Sequence, residues 1–157
     1  MNLLPPTRRL ARLCLQCCAW AWICLLQGAH AQAAAPSAFE MEQGARGALN
    51  TLIVAYAGNQ PLLAEPMLDE AMIGRQVLLD QMRISLNQQT QIQVSLRDVR
   101  SSIGDNVVAV SFSWEKRFLQ IPAMTPVLRS GRAIFMWQRT AQGWRLIGIS
   151  GDSPFAL

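Results

Sequence analysis

From Thr90 to Ser150 the chain alternates apolar and polar residues in four consecutive runs. Period-two alternation marks strands with one face buried in a sheet. In the first run Ile92, Val94 and Leu96 alternate with Gln93, Ser95 and Arg97. In the second, Val108, Val110, Phe112 and Trp114 alternate with Ala109, Ser111, Ser113 and Glu115. The third sets Ala133, Phe135 and Trp137 on one face and Ile134 and Met136 on the other, and the fourth runs from Trp144 to Ile149. Gly104-Asp105-Asn106 and Ala141-Gln142-Gly143 suit tight hairpins, because these residues tolerate unusual backbone angles. The middle connection, residues 118–128, is long and apolar and carries Pro122 and Pro126. It reads either as strand ends extending beyond the sheet body or as a flap.

Before the strands the period changes to that of helices. Ser37 and Glu40 form a capping box. Met41, Ala45, Ala48, Leu49, Leu52, Ile53 and Tyr56 then define one apolar helical face. Gly44 and Gly47 interrupt that helix, either as tolerated defects or as points of close packing. Gly58-Asn59-Gln60-Pro61 ends it. After a loop over residues 62–68, a second helix is predicted from near Asp69 to about Asn87, with Met72, Leu79, Met82 and Leu86 on its apolar side. Ile73, Val77 and Ile84 widen that stripe. Two helices followed by a four-stranded antiparallel meander make an α+β domain.

The first thirty residues do not fit that domain. Arg8, Arg9 and Arg12 precede an apolar run from Leu13 to Leu26, and Ala29-His30-Ala31 follows with small residues at the positions a signal peptidase reads. This is the three-part pattern of a secretory signal peptide over residues 1–31, followed by a mobile entry over 32–36 and one domain over 37–157. The expected address is the periplasm or the exterior. Cys24 follows Ala21-Trp22-Ile23, which is no lipobox, and the Arg8-Arg9 pair is a weak form of a twin-arginine signal, so the general export route is preferred. Cleavage would remove three of the 14 basic residues and none of the 10 acidic ones, leaving a net charge of +1. That balance argues against a nucleic-acid partner. All four cysteines and the one histidine lie in the leader, so the mature domain is cysteine-free and must be stable without disulfides.

The strand-rich half carries a family resemblance. The segments Ile92 to Val99, Asn106 to Lys116, Gly131-Arg132-Ala133-Ile134-Phe135-Met136-Trp137 and Gly143-Trp144-Arg145-Leu146-Ile147, with Gly151-Asp152-Ser153-Pro154-Phe155 after them, resemble exported members of the nuclear transport factor 2-like superfamily, which includes SnoaL-like and ketosteroid isomerase-like proteins. The resemblance implies N-terminal helices packed on a curved, cone-shaped sheet of about four strands. It also implies dimerisation through the outer sheet face, and it covers enzymes, binders and dimerisation modules alike. One departure stands out: the short helix and first strand usual between the two main helices are reduced to residues 60–68.

Without histidine or cysteine in the mature chain there is no cysteine nucleophile, no Ser-His-Asp relay and no zinc site of the usual ligand set. No phosphate-cradling glycine motif or cofactor signature is present. Family members that are isomerases or dehydratases use acidic groups in the cone, which makes Asp80, Asp98 and Asp152 the candidates for acid-base catalysis. Each also has a structural reading: helix surface, strand edge and turn. Tyr56, Phe112, Trp114, Phe135 and Trp137 could line a pocket for a small apolar ligand, or simply fill the core. The cluster Glu115-Lys116-Arg117 reads as solvent-facing, and Arg117, Arg129 and Arg132 as a possible basic rim or scattered surface charge. The reading that results is an exported, non-enzymatic binding or assembly module, with a small-molecule isomerase or dehydratase as the alternative. Because Phe135 and Trp137 oppose Ile134 and Met136, both sheet faces are apolar, and the face away from the helices calls for a second copy or an envelope protein.

Overall fold

The structure is a computed structural model that describes residues 36–157; the segment read as a signal peptide, with the cysteines and His30, and most of the entry expected to be mobile lie outside the described residues. Helix α1 (Ala38–Ala57) starts at the capping box: the Ser37 amide donates to Glu40 Oε2 at 2.7 Å and the Glu40 amide to Ser37 Oγ at 3.2 Å. Its buried face is the one the spacing predicts, with Ala55 added. At its end the left-handed residue is Asn59, with φ of 54°, rather than Gly58. The segment that follows is one turn of helix, α2 (Pro61–Ala64), and a 3-10 turn (Glu65–Met67).

The second long helix, α3 (Arg75–Gln88), begins later than the apolar spacing predicts. Gly74 takes φ of 80°, a left-handed conformation that interrupts helical geometry, and the residues before it form a turn instead. There the Asp69 side chain accepts from the Ala71 amide at 2.9 Å, and the Asp69 amide donates to Leu146 O. The shift changes which residues face the core. Leu78, Met82 and Ser85 are buried, whereas Ile73, Val77 and Ile84, expected to widen the apolar stripe, are exposed.

Four long strands follow: β1 (Gln89–Ile103), β2 (Val107–Gln120), β3 (Thr125–Thr140) and β4 (Gly143–Gly151). They form an antiparallel meander in the order β1-β2-β3-β4. The connection between β2 and β3 is only residues 121–124, and Pro126 pairs opposite Leu119. The apolar stretch around it is therefore strand ends, not a flap. β1 is interrupted by register shifts at 90–93 and 97–100, where Gln91 and Asp98 take φ of 51° and 52°.

The α+β class and the meander stand, but the curved, cone-shaped sheet does not. Among the described strands β1 pairs only with β2 and β4 only with β3, so the sheet is open and does not close on itself. The reason lies in the shortened segment before α3. There, in place of the short helix and strand whose reduction the sequence shows, the chain makes α2, the 3-10 turn and a single parallel bridge from Leu68 to Leu146. Nothing in the described chain extends β4 toward β1.

The core lies between the helices and the inner face of this sheet. Val108, Val110, Phe112 and Trp114 of β2 and Ala133, Phe135 and Trp137 of β3 meet Leu49, Leu52, Ile53 and Tyr56 of α1. After β4, Phe155 enters the same cluster, with its ring centroid 4.9 Å from that of Tyr56 and 5.9 Å from that of Phe135.

Candidate functional site

Strand β2 does not stop alternating at Trp114. The inward positions continue through Lys116 to Phe118, and the Lys116 side chain has 0% exposure. This corrects the expectation that Lys116 faces solvent with its neighbours. Glu115 and Arg117 do point outward and pair with each other at 2.8 Å, while Lys116 sits between the Tyr56 and Phe118 rings, 5.8 and 5.2 Å from their centroids. It is the only lysine in the chain, and Tyr56 the only tyrosine.

The buried polar groups form a directed chain. Lys116 Nζ donates to Ala156 O at 2.7 Å and to Tyr56 Oη at 3.4 Å. Ser85 Oγ donates to Gln89 Oε1 at 2.8 Å. A hydroxyl has one proton, so the short Tyr56–Ser85 hydrogen bond is donated by the tyrosine. The order is Lys116 to Tyr56 to Ser85 to Gln89, and it ends at a buried Gln89 Nε2 with no partner among the described residues. Burial, and after it the nearby Arg129 guanidinium, pushes the Lys116 ammonium down to about 8. Burial pushes the Tyr56 phenol up, opposed by its hydrogen bond to Ser85.

A buried ammonium normally needs an anion beside it. None of the described ion pairs includes Lys116, and residues 1–35 contain no aspartate or glutamate. At neutral pH the group is mostly a cation whose strongest partner is a backbone carbonyl. It can therefore bind and orient an anionic oxygen.

Of the three aspartates weighed as catalysts, Asp98 and Asp152 are exposed and Asp80 is half-buried, and the three are not brought together. Asp80 pairs with Arg83 at 2.9 Å on the outside of α3. Asp98 occupies a left-handed position at the second β1 register shift and accepts from Ser113 Oγ at 3.4 Å; aspartate is among the residues that tolerate such a conformation. Asp152 anchors the chain end through its backbone: its amide donates to Arg132 O at 2.7 Å and its carbonyl accepts from Trp114 Nε1 at 2.7 Å.

The five aromatic candidates are all buried. Tyr56 lines a cavity of about 270 Å³ between the end of α1, α2 and α3, together with Leu79, Met82 and Leu86. Phe112 borders a larger hollow of about 490 Å³ on the opposite side of the sheet, among Asp98, Arg100, Ser111, Ser113 and Arg132. Trp114, Phe135 and Trp137 line neither. The arginines divide between the faces as well: Arg129 is opposite Lys116, whereas Arg132 is opposite Ser113 and Arg117 opposite Leu128. Among the described residues no group of three or more His, Cys, Asp or Glu side chains could hold a metal.

Sequence reasoning missed Lys116 because its neighbours in the chain are charged. The available signal was parity: Lys116 is an even step from Val108, Val110, Phe112 and Trp114, and Phe118 resumes the pattern.

No protein-family model matches the chain, and no curated protein matches it. Solved structures do. A nuclear transport factor 2-like superfamily protein from Salmonella enterica matches with a TM-score of 0.66 at 13% identity, covering 75% of this chain and 94% of that one. A protein of the same family from Streptomyces avermitilis, assigned as a dehydratase, matches with a TM-score of 0.65 at 15% identity over 71% and 94% of the two chains. The association domain of CaMKII from C. elegans matches with a TM-score of 0.57 at 15% identity over 71% and 95%. At these identities the likeness is one of fold: the chain has the NTF2-like arrangement of helices on a four-stranded meander. The three neighbours differ in what they are, so the fold does not choose between catalysis and assembly.

Proposed function

We propose that this protein is an exported, non-enzymatic binding or assembly module that pairs with a second copy through the outer face of its sheet, in the periplasm or outside the cell. The observation that carries the reading is the exposure of Ile134 and Met136, 42% and 38%, on the face opposite the helices. Inner neighbours Ala133, Phe135 and Trp137 are buried, so β3 presents apolar side chains on both sides. Small residues surround the outer pair. Ile134 is opposite Ser111 and Ser150, and Met136 opposite Ala109 and Gly148, which leaves room for another copy to approach. The surface positions of Asp80, Asp98 and Asp152 favour this reading over an isomerase or dehydratase with a carboxyl group in its core.

Light scattering on the mature protein at micromolar concentration should give twice the chain mass, and Ile134→Glu should shift it to the monomer with an unchanged far-UV spectrum. A monomeric unmodified protein would reject pairing with itself and leave an envelope protein as the candidate for that face. Export is checked separately: intact mass of the secreted or periplasmic species should correspond to a start near Gln32. A stable full-length species in the inner membrane would overturn it. Among the described residues no helix is long and apolar enough to cross a membrane.

A further inference from the structure

In residues 153–157 only Pro154 and Phe155 are buried, while Leu157 is exposed, and the segment is held by little besides the packing of those two side chains. Within the segment, the Phe155 amide donates to Ser153 Oγ and the Ala156 amide to Ser153 O, both at 3.3 Å. Among the described residues, one hydrogen bond joins the segment to the rest of the protein, that from Lys116 Nζ to Ala156 O. The segment follows Gly151, a left-handed residue with φ of 84°, and Asp152, whose backbone is pinned to Arg132 and Trp114. A fixed point is thus followed by a short piece that places a phenyl ring against Tyr56 and Phe135 and an acceptor oxygen on a buried cation.

Those two contacts describe a ligand. The ring seat accepts an aromatic body edge-on, the geometry aromatic pairs prefer. The cation has no carboxylate beside it, and a full negative charge would satisfy it better than a carbonyl dipole. Tyr56 also borders the cavity of about 270 Å³ between α1, α2 and α3, although Phe155, Ala156 and Lys116 do not line it, so the ligand gains its room from the displaced segment. We propose that the seat of Phe155 and Ala156 is a binding site for a small aromatic carboxylate, anchored by Lys116 and Tyr56, and that residues 153–156 are its displaceable stopper. In the bound state the carboxylate takes the Lys116 proton donors that now serve Ala156 O, the ligand ring takes the place of the Phe155 ring, and the stopper swings out from Asp152. No covalent step is involved. The site lies on the inner side of the sheet, so it stands or falls independently of pairing through the outer face.

The single lysine makes the test direct. Protein labelled with ¹³C-lysine has one side-chain signal to follow while 3-phenylpropionate or the neutral 3-phenylpropanamide is added at pH 7. With the acid, the lysine signal should shift saturably. Phe155→Ala, which empties the ring seat, should bind the acid at least about tenfold more tightly than the unmodified protein, and the amide about tenfold more weakly than the acid. Lys116→Met in the Phe155→Ala background has no lysine signal and is titrated by calorimetry beside Phe155→Ala itself; it should lose the preference for the acid. Should Phe155→Ala fail to fold, Phe155→Leu and the unmodified protein are titrated in the same way. A folded protein whose lysine signal does not respond to the acid, or that binds acid and amide equally, overturns the proposal. So does acid binding that survives Lys116→Met unchanged.

Discussion

The chain's one lysine donates to its one tyrosine inside the core, with Lys116 Nζ 3.4 Å from Tyr56 Oη. The two come from elements far apart in sequence, β2 and α1, and meet where the helices close over the sheet. Because each is unique, each can be observed without assignment.

Lys116 should titrate well below a free lysine. Its ¹³C signal should report an apparent value of about 8, against the ordinary 10.5, because the buried ammonium is poorly solvated and Arg129 repels it. A lowered lysine value means that between those limits the unfolded chain holds more protons than the native one, so the Lys116 contribution makes the protein more stable as pH rises from about 8 toward 10.5. Tyr56 works in the opposite sense at the top of this range. Its raised phenol value means the unfolded state ionises first, which favours unfolding above pH 10. Urea melts between pH 7.5 and 9.5 should therefore show a rise in stability that Lys116→Met lacks. A parallel pH dependence for the two proteins would show that Lys116 is hydrated in solution.

Gly44 and Gly47 should respond oppositely to alanine. A Cβ on Gly44 would fall within the indole of Trp144, whereas one on Gly47 meets nothing within 4 Å. Overpacking costs typically about 1–3 kcal/mol, and replacing an exposed helical glycine by alanine gains about 1 kcal/mol. Gly44→Ala should lower, and Gly47→Ala raise, the denaturation midpoint, both without a change in slope. Two gains of equal size would mean that Trp144 simply moves aside.

How far the sequence specified this arrangement depends on what each signal reports. Alternation in β2 and β3 located the sheet and divided its residues between two faces, Phe135 and Trp137 on one and Ile134 and Met136 on the other, but which face the helices cover is a matter of tertiary packing that period two does not encode. The Ser37–Glu40 cap was equally legible, since it is local. Apolar spacing overran the start of α3: nothing in a hydrophobic pattern registers the left-handed backbone at Gly74, and Met72 is buried from a turn as readily as from a helix. The reduction at residues 60–68 was legible as a departure from the family pattern, but its consequence for the sheet is long-range, and the cone shape was carried over from the family all the same. The site was hidden for a different reason. Residue type argued that a lysine flanked by glutamate and arginine faces water, strand parity argued that it faces the core, and parity prevailed because Glu115 and Arg117 already occupy the outer face.

Tyr56→Phe should separate the polar chain from the aromatic cluster. The substitution keeps the ring that Phe155 contacts and removes the hydroxyl between Lys116 and Ser85. Ser85 retains its bond to Gln89, so the loss is confined to one buried donor-acceptor group and about 0.5–1.5 kcal/mol is expected. Lys116 would lose an acceptor for its cationic form, and its apparent value should fall further below about 8. A drop in stability with an unmoved lysine signal would place the tyrosine hydroxyl outside the lysine's hydrogen-bonding shell.

The end of the chain should be anchored by the backbone of Asp152 and not by its carboxylate. Its amide is bonded to Arg132 O and its carbonyl receives the Trp114 indole proton, and the side chain is exposed, with no hydrogen bond among the described residues. Asp152→Asn leaves both backbone bonds in place and should change stability by no more than about 0.5 kcal/mol, the usual range for surface substitutions. Trp114→Phe removes the indole donor and leaves the Asp152 carbonyl to water or to no partner, at a cost of about 1 kcal/mol for the bond, with a further cost for the lost ring volume. The consequence reaches the core. Phe155 is three residues beyond the anchor, and loosening Asp152 should free it from Tyr56 and Phe135. Amide hydrogen exchange at Phe155 and Ala156 should therefore accelerate in Trp114→Phe and stay unchanged in Asp152→Asn. The reverse order would assign the anchor to the carboxylate.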